Sequence, residues 1–413
     1  RQREGPTSFL DMARRQLLIA SILGVAVSLA PTPSPQSTSQ RRQFVAQIGS
    51  TAAALSARTV TGGAASAVLA PVSATAAAAA VPANTNPEGF LTLPGGLNGQ
   101  YLMAVGFGLY KTPPAETQEA VALALDAGVR HFDTAADYGN EEELGKALRQ
   151  WAGAGRNRYR DELWVTTKLS NRDQSTDPAA VKRAVKESLQ RLSVGYADSV
   201  LLHSPLTDRD RRLASWQALV ELREEGLVRS LGCCNFGPRC LDEIEAAFPK
   251  QGPQMLQLEL SPYNQHRNCL EWCEKRGVVV TCGAWSKLSG SFNWGSDEDY
   301  RVLAGVAKAH SATKAQVLVR WAVQRGFGAL PRSGVGSEAD KLAIRQNSGR
   351  GVSSRGWDGK EKPTWSGGAL TPEEMATLNA LDQQLAAGRL GRTDGWTVED
   401  VKGVDWDPTA ASP

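Results

Sequence analysis

Val129-Arg130-His131-Phe132-Asp133-Thr134-Ala135-Ala136-Asp137-Tyr138-Gly139-Asn140-Glu141 passes from a strand through a polar turn into a helix, and its reading decides the fold. Val129 to Asp133 reads as a strand and Glu141 to Trp151 as a helix. Before the stretch, Ala120, Leu123, Ala124 and Ala127 share a helical face that Gly128 stops. After it come a strand, Leu163 to Lys168, and a helix opened by Asp177-Pro178 with Val181, Ala184, Val185, Leu189 and Leu192 inward. The beat continues through strands Ala197 to His203, Val228 to Cys233, Met255 to Leu260 and Val278 to Cys282. Between them lie helices Trp216 to Glu225, Leu241 to Phe248 and Leu270 to Arg276. Helices near 298–309 and 313–325 flank a final strand, Gly328 to Pro331, and Thr371-Pro372-Glu373-Glu374 opens a last helix, Glu373 to Leu385. Alternation over this length implies parallel βαβ units. About eight beats in one domain fit a closed (β/α)8 TIM barrel better than an open sheet. Leu93 to Gly99 reads as the turn of a short hairpin ahead of the barrel, with Tyr101 to Val105 as a strand.

The chain has 413 residues, enough for one large barrel with extensions. A net charge of +3 is too small for a nucleic-acid footprint, so no nucleic acid is expected. The 6 cysteines, Cys233, Cys234, Cys240, Cys269, Cys273 and Cys282, form no disulfide framework. Cys269 and Cys273 share a helix face, but with only 4 histidines in the chain buried thiols are expected rather than a metal.

Residues 1–85 are rich in Ala, Ser, Thr and Pro and poor in acid. Arg14-Arg15 precede the apolar run Leu17 to Ala30, and Arg41-Arg42 precede Phe44 and the tail Ala76 to Ala80. Two basic, acid-poor blocks in series resemble a chloroplast-to-thylakoid-lumen presequence, with Ser39 to Phe44 similar to a twin-arginine signal. The other reading is a disordered, Ala-rich extension without an address, leaving a cytoplasmic protein. The first apolar run is too short and diluted for a membrane span, so no membrane is expected for the mature form. The expected domains are a presequence at 1–85, a barrel at 86–395 with an inserted Gly/Ser/Trp-rich loop at 348–368, and a tail at 396–413.

Asp133, Lys168 and His203 end three successive strands and stand 35 residues apart, twice over. A repeating unit returns to the same rim each time, so these side chains should converge at the barrel mouth. Tyr138 follows in the loop beyond the first of these strands and reaches the same place. Tyrosine is a poor acid at neutral pH, and a nearby ammonium should lower its pKa. Asp133 can supply the counter-charge a buried Lys168 needs. His203 can hydrogen-bond a carbonyl oxygen. Together they make a proton-donating set suited to carbonyl reduction. Each alone has a blander reading: a cap, a packed aromatic, a solvated amine, a core imidazole. No nucleophile with an adjacent base is evident.

The segments His131 to Glu141, Trp164 to Lys168, Asp198 to Pro205 and Val228 to Phe236 resemble four motifs of the aldo-keto reductases, in order, and the resemblance runs from about residue 91 to 395. It implies a catalytic tetrad of Asp133, Tyr138, Lys168 and His203, with NADPH as the cofactor. Asn235 and Gln257 would bind the nicotinamide carboxamide, with Cys234 where the family has Ser. Trp285 would stack on the ring, and Ser286 and Leu288 would lie along the pyrophosphate. Arg332 and Ser333 would meet the 2′-phosphate, and Asn347 matches the family's adenine-side Asn. Gly108, Leu109 and Tyr110 would border cofactor and substrate, Tyr110 on the substrate side with His203. The implied reaction is reduction of a small-molecule aldehyde or ketone by a monomer, with direct hydride transfer and Tyr138 as general acid. Two alternatives stand beside it: a barrel that binds NADPH as a regulatory subunit with little turnover, and a redox-sensing barrel using Cys233 and Cys234.

Overall fold

A computed structural model describes residues 90–93, 101–153, 160–283, 300–347 and 369–382. The chain divides into two units, Arg1–Thr75 and Ala76–Pro413, and every described residue lies in the second. The presequence, the hairpin turn, Trp285, Ser286 and Leu288, the 348–368 insertion and the 396–413 tail lie outside the described residues.

The strands are β1 (Phe90–Thr92), β2 (Tyr101–Met103), β3 (Phe107–Gly108), β4 (His131–Asp133), β5 (Trp164–Leu169), β6 (Ala197–Leu202), β7 (Val228–Cys234), β8 (Met255–Glu259), β9 (Val279–Gly283) and β10 (Gly328–Ala329). The helices are α1 (Pro114–Asp126), α2 (Glu141–Gly153), α3 (Pro178–Leu192), α4 (Arg209–Glu224), α5 (Pro238–Ala247), α6 (Arg267–Arg276), α7 (Arg301–Ala309), α8 (Lys314–Gln324), α9 (Glu338–Asn347) and α10 (Pro372–Asn379). β1 and β2 pair antiparallel as a separate hairpin. β3 to β10 form an 8-stranded sheet in chain order. Its two edges meet: Val105 bridges Ala329 in parallel, Gly106 N donates to Ala329 O at 2.9 Å and Gly108 N to Pro331 O at 3.0 Å. The sheet therefore closes into the expected (β/α)8 barrel.

β5 and β6 are buried along their whole length, as parallel strands covered on both faces must be. Their outward side chains pack against helices; Val200, Leu202, Leu231 and Cys233 join Trp216, Leu219 and Leu241 in one cluster. Inside, Leu91, Leu93 and Leu102 of the hairpin region pack with Trp164, Met255 and Val279, which open or nearly open their strands. The hairpin thus stoppers the N-terminal end and leaves the C-terminal mouth for chemistry.

Local chemistry sets the helix ends. Asp177 accepts from Ala179 N ahead of Pro178, and Thr313 and Thr371 make capping boxes with Gln316 and Glu374. α4 starts earlier than its apolar period suggests, at Arg209, because Asp208 caps it through Arg211 N at 2.9 Å. α9 was not expected as a helix. Pro372–Asn379 is the described extent of the last helix, shorter than the expected Glu373 to Leu385. All six cysteines are buried, and no group of His, Cys, Asp or Glu among the described residues could hold a metal ion.

Candidate active site

Parallel register brings the rim residues together. Asp133 ends β4 opposite Thr166, so Lys168 lies two residues further along β5, on the same inward side. Lys168 Nζ donates to Asp133 Oδ1 at 2.6 Å, to Thr134 O at 2.9 Å and to Tyr138 Oη at 3.3 Å. Tyr138 closes a 3-10 turn, Ala136–Tyr138, ended by Gly139 in the left-handed region at φ 69°. Its ring stands 5.1 Å from that of Tyr110 and 5.6 Å, edge-on, from that of His203. His203 lies just past β6 rather than within it, its N–H donating to Leu169 O. The four residues expected to converge do so.

Burial sets the protonation states. It works against the Lys168 charge, but the Asp133 carboxylate outweighs it, and the ammonium is held above its ordinary range. The second Asp133 oxygen accepts from Gln257 Nε2 at 2.7 Å. Tyr138 departs from the expectation of a lowered pKa. Loss of water around the hydroxyl pushes the phenol upward, and Lys168 opposes this without reversing it. The phenol therefore rests protonated, with a stabilising ammonium beside it for when the proton leaves. His203 is pulled below its ordinary value by burial, against the pull of Asp137, and is neutral at pH 7.

Of the residues expected to meet a cofactor, Gly108, Leu109, Cys234, Asn235 and Gln257 lie at or near the C-terminal ends of β3, β7 and β8, at the same mouth. Gly108 and Leu109 follow β3, and Leu109 N donates to Asp133 O at 2.9 Å. Cys234 and Gln257 are register partners; Cys234 Sγ donates to Gln257 Oε1 at 3.7 Å, and burial pushes this thiol up to about 12. Asn235 adopts φ 61°, and its Nδ2 donates to His203 O at 3.4 Å. Cys233 points the other way, into the strand–helix core with Cys240. Adjacent strand residues on opposite faces cannot pair as a disulfide without breaking the strand, which argues against a redox couple there. Arg332 Nη1 donates to Tyr110 O at 2.9 Å, Ser333 Oγ to Asp340 O at 3.0 Å, and Asn347 is buried on α9. Its Oδ1 is buried with no hydrogen-bond partner among the described residues. An acceptor left this way suits an exocyclic amine such as adenine's, so the residues present fit a dinucleotide.

Three further residues carry the geometry without having been assigned a role from sequence. Buried Asn140 donates to Leu109 O at 2.9 Å and Thr112 O at 3.0 Å and accepts from Thr134 Oγ1 at 2.7 Å, tying the loop after β3 to the turn that carries Tyr138. Glu141 accepts from Thr167 Oγ1 at 2.6 Å and Arg191 Nε at 2.8 Å. Asp137 meets His203 and Arg172. All three lie in the quoted stretch, but nothing local says which carboxylate or amide will find a distant partner.

Residues 102–343 match the family model described as Aldo/keto reductase family. An aldo-keto reductase of Mycobacterium sp. (strain KMS) is 37% identical over 238 residues, covering 57% of this chain and 80% of the relative. The 9,11-endoperoxide prostaglandin H2 reductase of Trypanosoma cruzi is 34% identical over 285 residues, covering 69% of this chain and 89% of the relative. Among solved structures, an aldo/keto reductase from Brucella melitensis superposes with a TM-score of 0.58 at 28% identity, over 71% of this chain and 100% of that one. A Bombyx mori aldo-keto reductase in complex with NADP superposes with a TM-score of 0.60 at 26% identity, over 78% of this chain and 98% of that one. With a family model spanning more than half its length, laid over a closed barrel with Asp133, Tyr138, Lys168 and His203 at one rim, this chain belongs to the aldo/keto reductase family.

Proposed function

We propose that this protein is an NADPH-dependent reductase of small aldehydes and ketones in which Tyr138 is the general acid. The observation that carries the reading is the buried chain of contacts Gln257–Asp133–Lys168–Tyr138, at 2.7, 2.6 and 3.3 Å. The Bombyx mori relative holds NADP, and Asn347, Arg332 and Ser333 would hold the adenine and 2′-phosphate ends of the cofactor here. Bidentate Arg suits a phosphate and favours NADP over NAD. When bound, the cofactor supplies the hydride that the carbonyl carbon receives.

The chain's own residues do the rest. Tyr138 Oη gives its proton to the carbonyl oxygen as negative charge develops there, and the product is the alcohol. Lys168 stabilises the phenolate left behind, a charge the buried hydroxyl could not carry unaided. Asp133 keeps Lys168 charged, and Gln257 keeps Asp133 aimed. Tyr110 and His203 flank Tyr138, so substrate would enter between them. General-acid contributions of this kind are worth about 10²- to 10⁴-fold.

The test is steady NADPH consumption by the purified chain with 4-nitrobenzaldehyde as substrate. Turnover is expected. Saturable NADPH binding without turnover of any member of a carbonyl panel would instead favour a regulatory barrel.

Residues 1–85 serve, in this proposal, as a presequence directing the enzyme to the chloroplast. The twin-arginine-like segment supports the thylakoid lumen as the further address. Sequencing the mature N-terminus checks it: a start near Val81 is expected, and a start near Met12 contradicts it.

A further inference from the structure

We infer that the N-terminal face of the barrel carries a second binding site, a pocket between α4, α5 and α6 that takes a phosphoryl anion with Arg223 as its anchor.

The pocket has a volume of about 420 Å³. Arg223 lies in the last turn of α4, Arg229 is the second residue of β7, Lys250 stands in the loop that joins α5 to β8, and Arg276 ends α6. All four are at the ends opposite the catalytic rim. Arg229 and Cys234 lie at opposite ends of β7, about 16 Å apart at the rise of an extended chain. A ligand held here is out of reach of the reacting atoms.

Four cationic side chains line the pocket, and Glu245 is the one carboxylate among the lining residues. Glu245 is spent on Arg276, which donates to it through Nε at 2.8 Å and Nη2 at 2.7 Å. Arg229 meets Asp198 at 3.2 Å, but the same carboxylate also serves Arg160 at 2.7 Å. One negative charge is thus divided between two guanidiniums. Arg223 has less. One of its N–H groups reaches a neutral acceptor, Gln254 Oε1, at 3.3 Å, and among the described residues it makes no ion pair. Burial works against its charge, and Glu224 beside it in the chain does not offset this. Lys250 is exposed and likewise makes no ion pair among the described residues.

Helix ends explain only part of this charge. The C-terminal carbonyls of α4 and α6 favour nearby cations, and Arg276 Nη1 donates to Trp272 O at 3.4 Å. Arg223 instead turns to Gln254, outside its own helix. A half-buried guanidinium without a counter-charge is costly, and a bound anion removes that cost. A phosphoryl group draws on three of the cations: Arg223 offers paired N–H donors, Lys250 an ammonium, and Arg229 the part of its charge that Asp198 leaves unmet. Pro249 and Pro253 fix φ on either side of Lys250, Gln251 and Gly252. The backbone that carries Lys250 is therefore restrained before a ligand arrives, which favours binding. The same chemistry suits a soluble phosphate ester and a lipid headgroup.

Two probes test the site on the full chain: inorganic pyrophosphate in a calorimetric titration, and phosphatidylcholine vesicles bearing phosphatidate in co-sedimentation. Saturable binding is expected for wild type, with a loss of at least about tenfold in Arg223→Met, the worth of one hydrogen bond to a charged group. Lys250→Met, at an exposed position that folding does not depend on, is expected to lose about threefold. Arg332→Met, at the opposite mouth, is expected to keep the wild-type affinity. Arg223-dependent binding of pyrophosphate without vesicle capture assigns the phosphoryl group to a soluble ester, and Arg223-dependent vesicle capture assigns it to a headgroup. Binding of neither probe overturns the inference, as does binding that Arg223→Met and Lys250→Met both leave unchanged. Binding lost in Arg332→Met but kept in Arg223→Met places the anion at the mouth and overturns it too.

Discussion

His131 and Asp133 project into the barrel from the same strand, two residues apart, and the interior treats their charges differently. Asp133 is met by Lys168 and Gln257 on its two oxygens. His131 is wholly buried, and loss of water holds its pKa at about 4, with the Lys168 charge also lowering it against the pull of Asp133. Its folded value lies below its unfolded value of 6.5. As pH falls below 6.5 the unfolded chain takes the proton first, so stability present above that pH is lost as pH falls toward 4. At about 1.4 kcal/mol per pH unit the loss is about 3 kcal/mol. In urea unfolding followed from pH 7 to 4, His131→Leu is expected to escape that loss, so the wild-type curve should fall more steeply; parallel curves would refute the assignment. Asp133, Lys168 and His203 were legible at this scale because strand-end periodicity is written into the chain, and Tyr138 follows from its place in the turn. The acidity of Tyr138 was not. It depends on how much water surrounds the hydroxyl, which only the packed mouth determines. The Asp137–His203 pair was equally hidden, since it joins residues 66 apart in the chain through a loop.

Strand–helix units carried most of the readable information. Apolar runs and caps located the barrel strands and the helices that cover them. The errors fall where periodicity is not the signal. The first turn of α4 is Arg209, Asp210, Arg211 and Arg212, with no apolar stripe, and its start is marked only by Asp208. α9 begins with Glu338, Ala339 and Asp340 and buries only Ile344 and Asn347, so its sequence resembles an inserted polar loop. The element joining fold to chemistry is the turn between β4 and α2, which Asn140 fastens to the loop after β3 through two hydrogen bonds and braces within itself through a third, from Thr134. Asn140→Leu leaves the Thr112 carbonyl and the Thr134 hydroxyl without the partner they have here, at about 1–3 kcal/mol each, while Leu109 O keeps only the bond from Thr112 N. It is expected to lower stability by about 3 kcal/mol or more and to reduce kcat, because Tyr138 rides on that turn. Chemical denaturation and turnover measured on one preparation check both; loss of activity without loss of stability would contradict the fastening role.

At the scale of the whole molecule, the barrel separates stability from chemistry by its two ends. The hairpin closes one end through Leu91, Leu93 and Leu102, which are 0%, 3% and 0% exposed. The opposite end carries the rim residues. Closure itself depends on two 2-residue strands, β3 and β10. Neither is long enough to show a period in sequence, so closure was inferred from the number of beats instead of from those strands. Leu91→Ala is expected to cost about 2–5 kcal/mol through the cavity it leaves while kcat/KM of the folded protein stays within about twofold of wild type, since one end can be loosened without moving the other. A Tm scan with activity assays below the transition tests this, and a collapse of kcat in fully folded protein would show the two ends to be coupled.

The central claim is that a phenol kept protonated by burial, beside an ammonium kept charged by Asp133, delivers the proton to the carbonyl oxygen. Single-turnover reduction of 4-nitrobenzaldehyde by NADPH-loaded Tyr138→Phe measures it directly. The expected result is a rate at least about 100-fold below wild type with NADPH affinity retained. A Tyr138→Phe rate equal to wild type would contradict it.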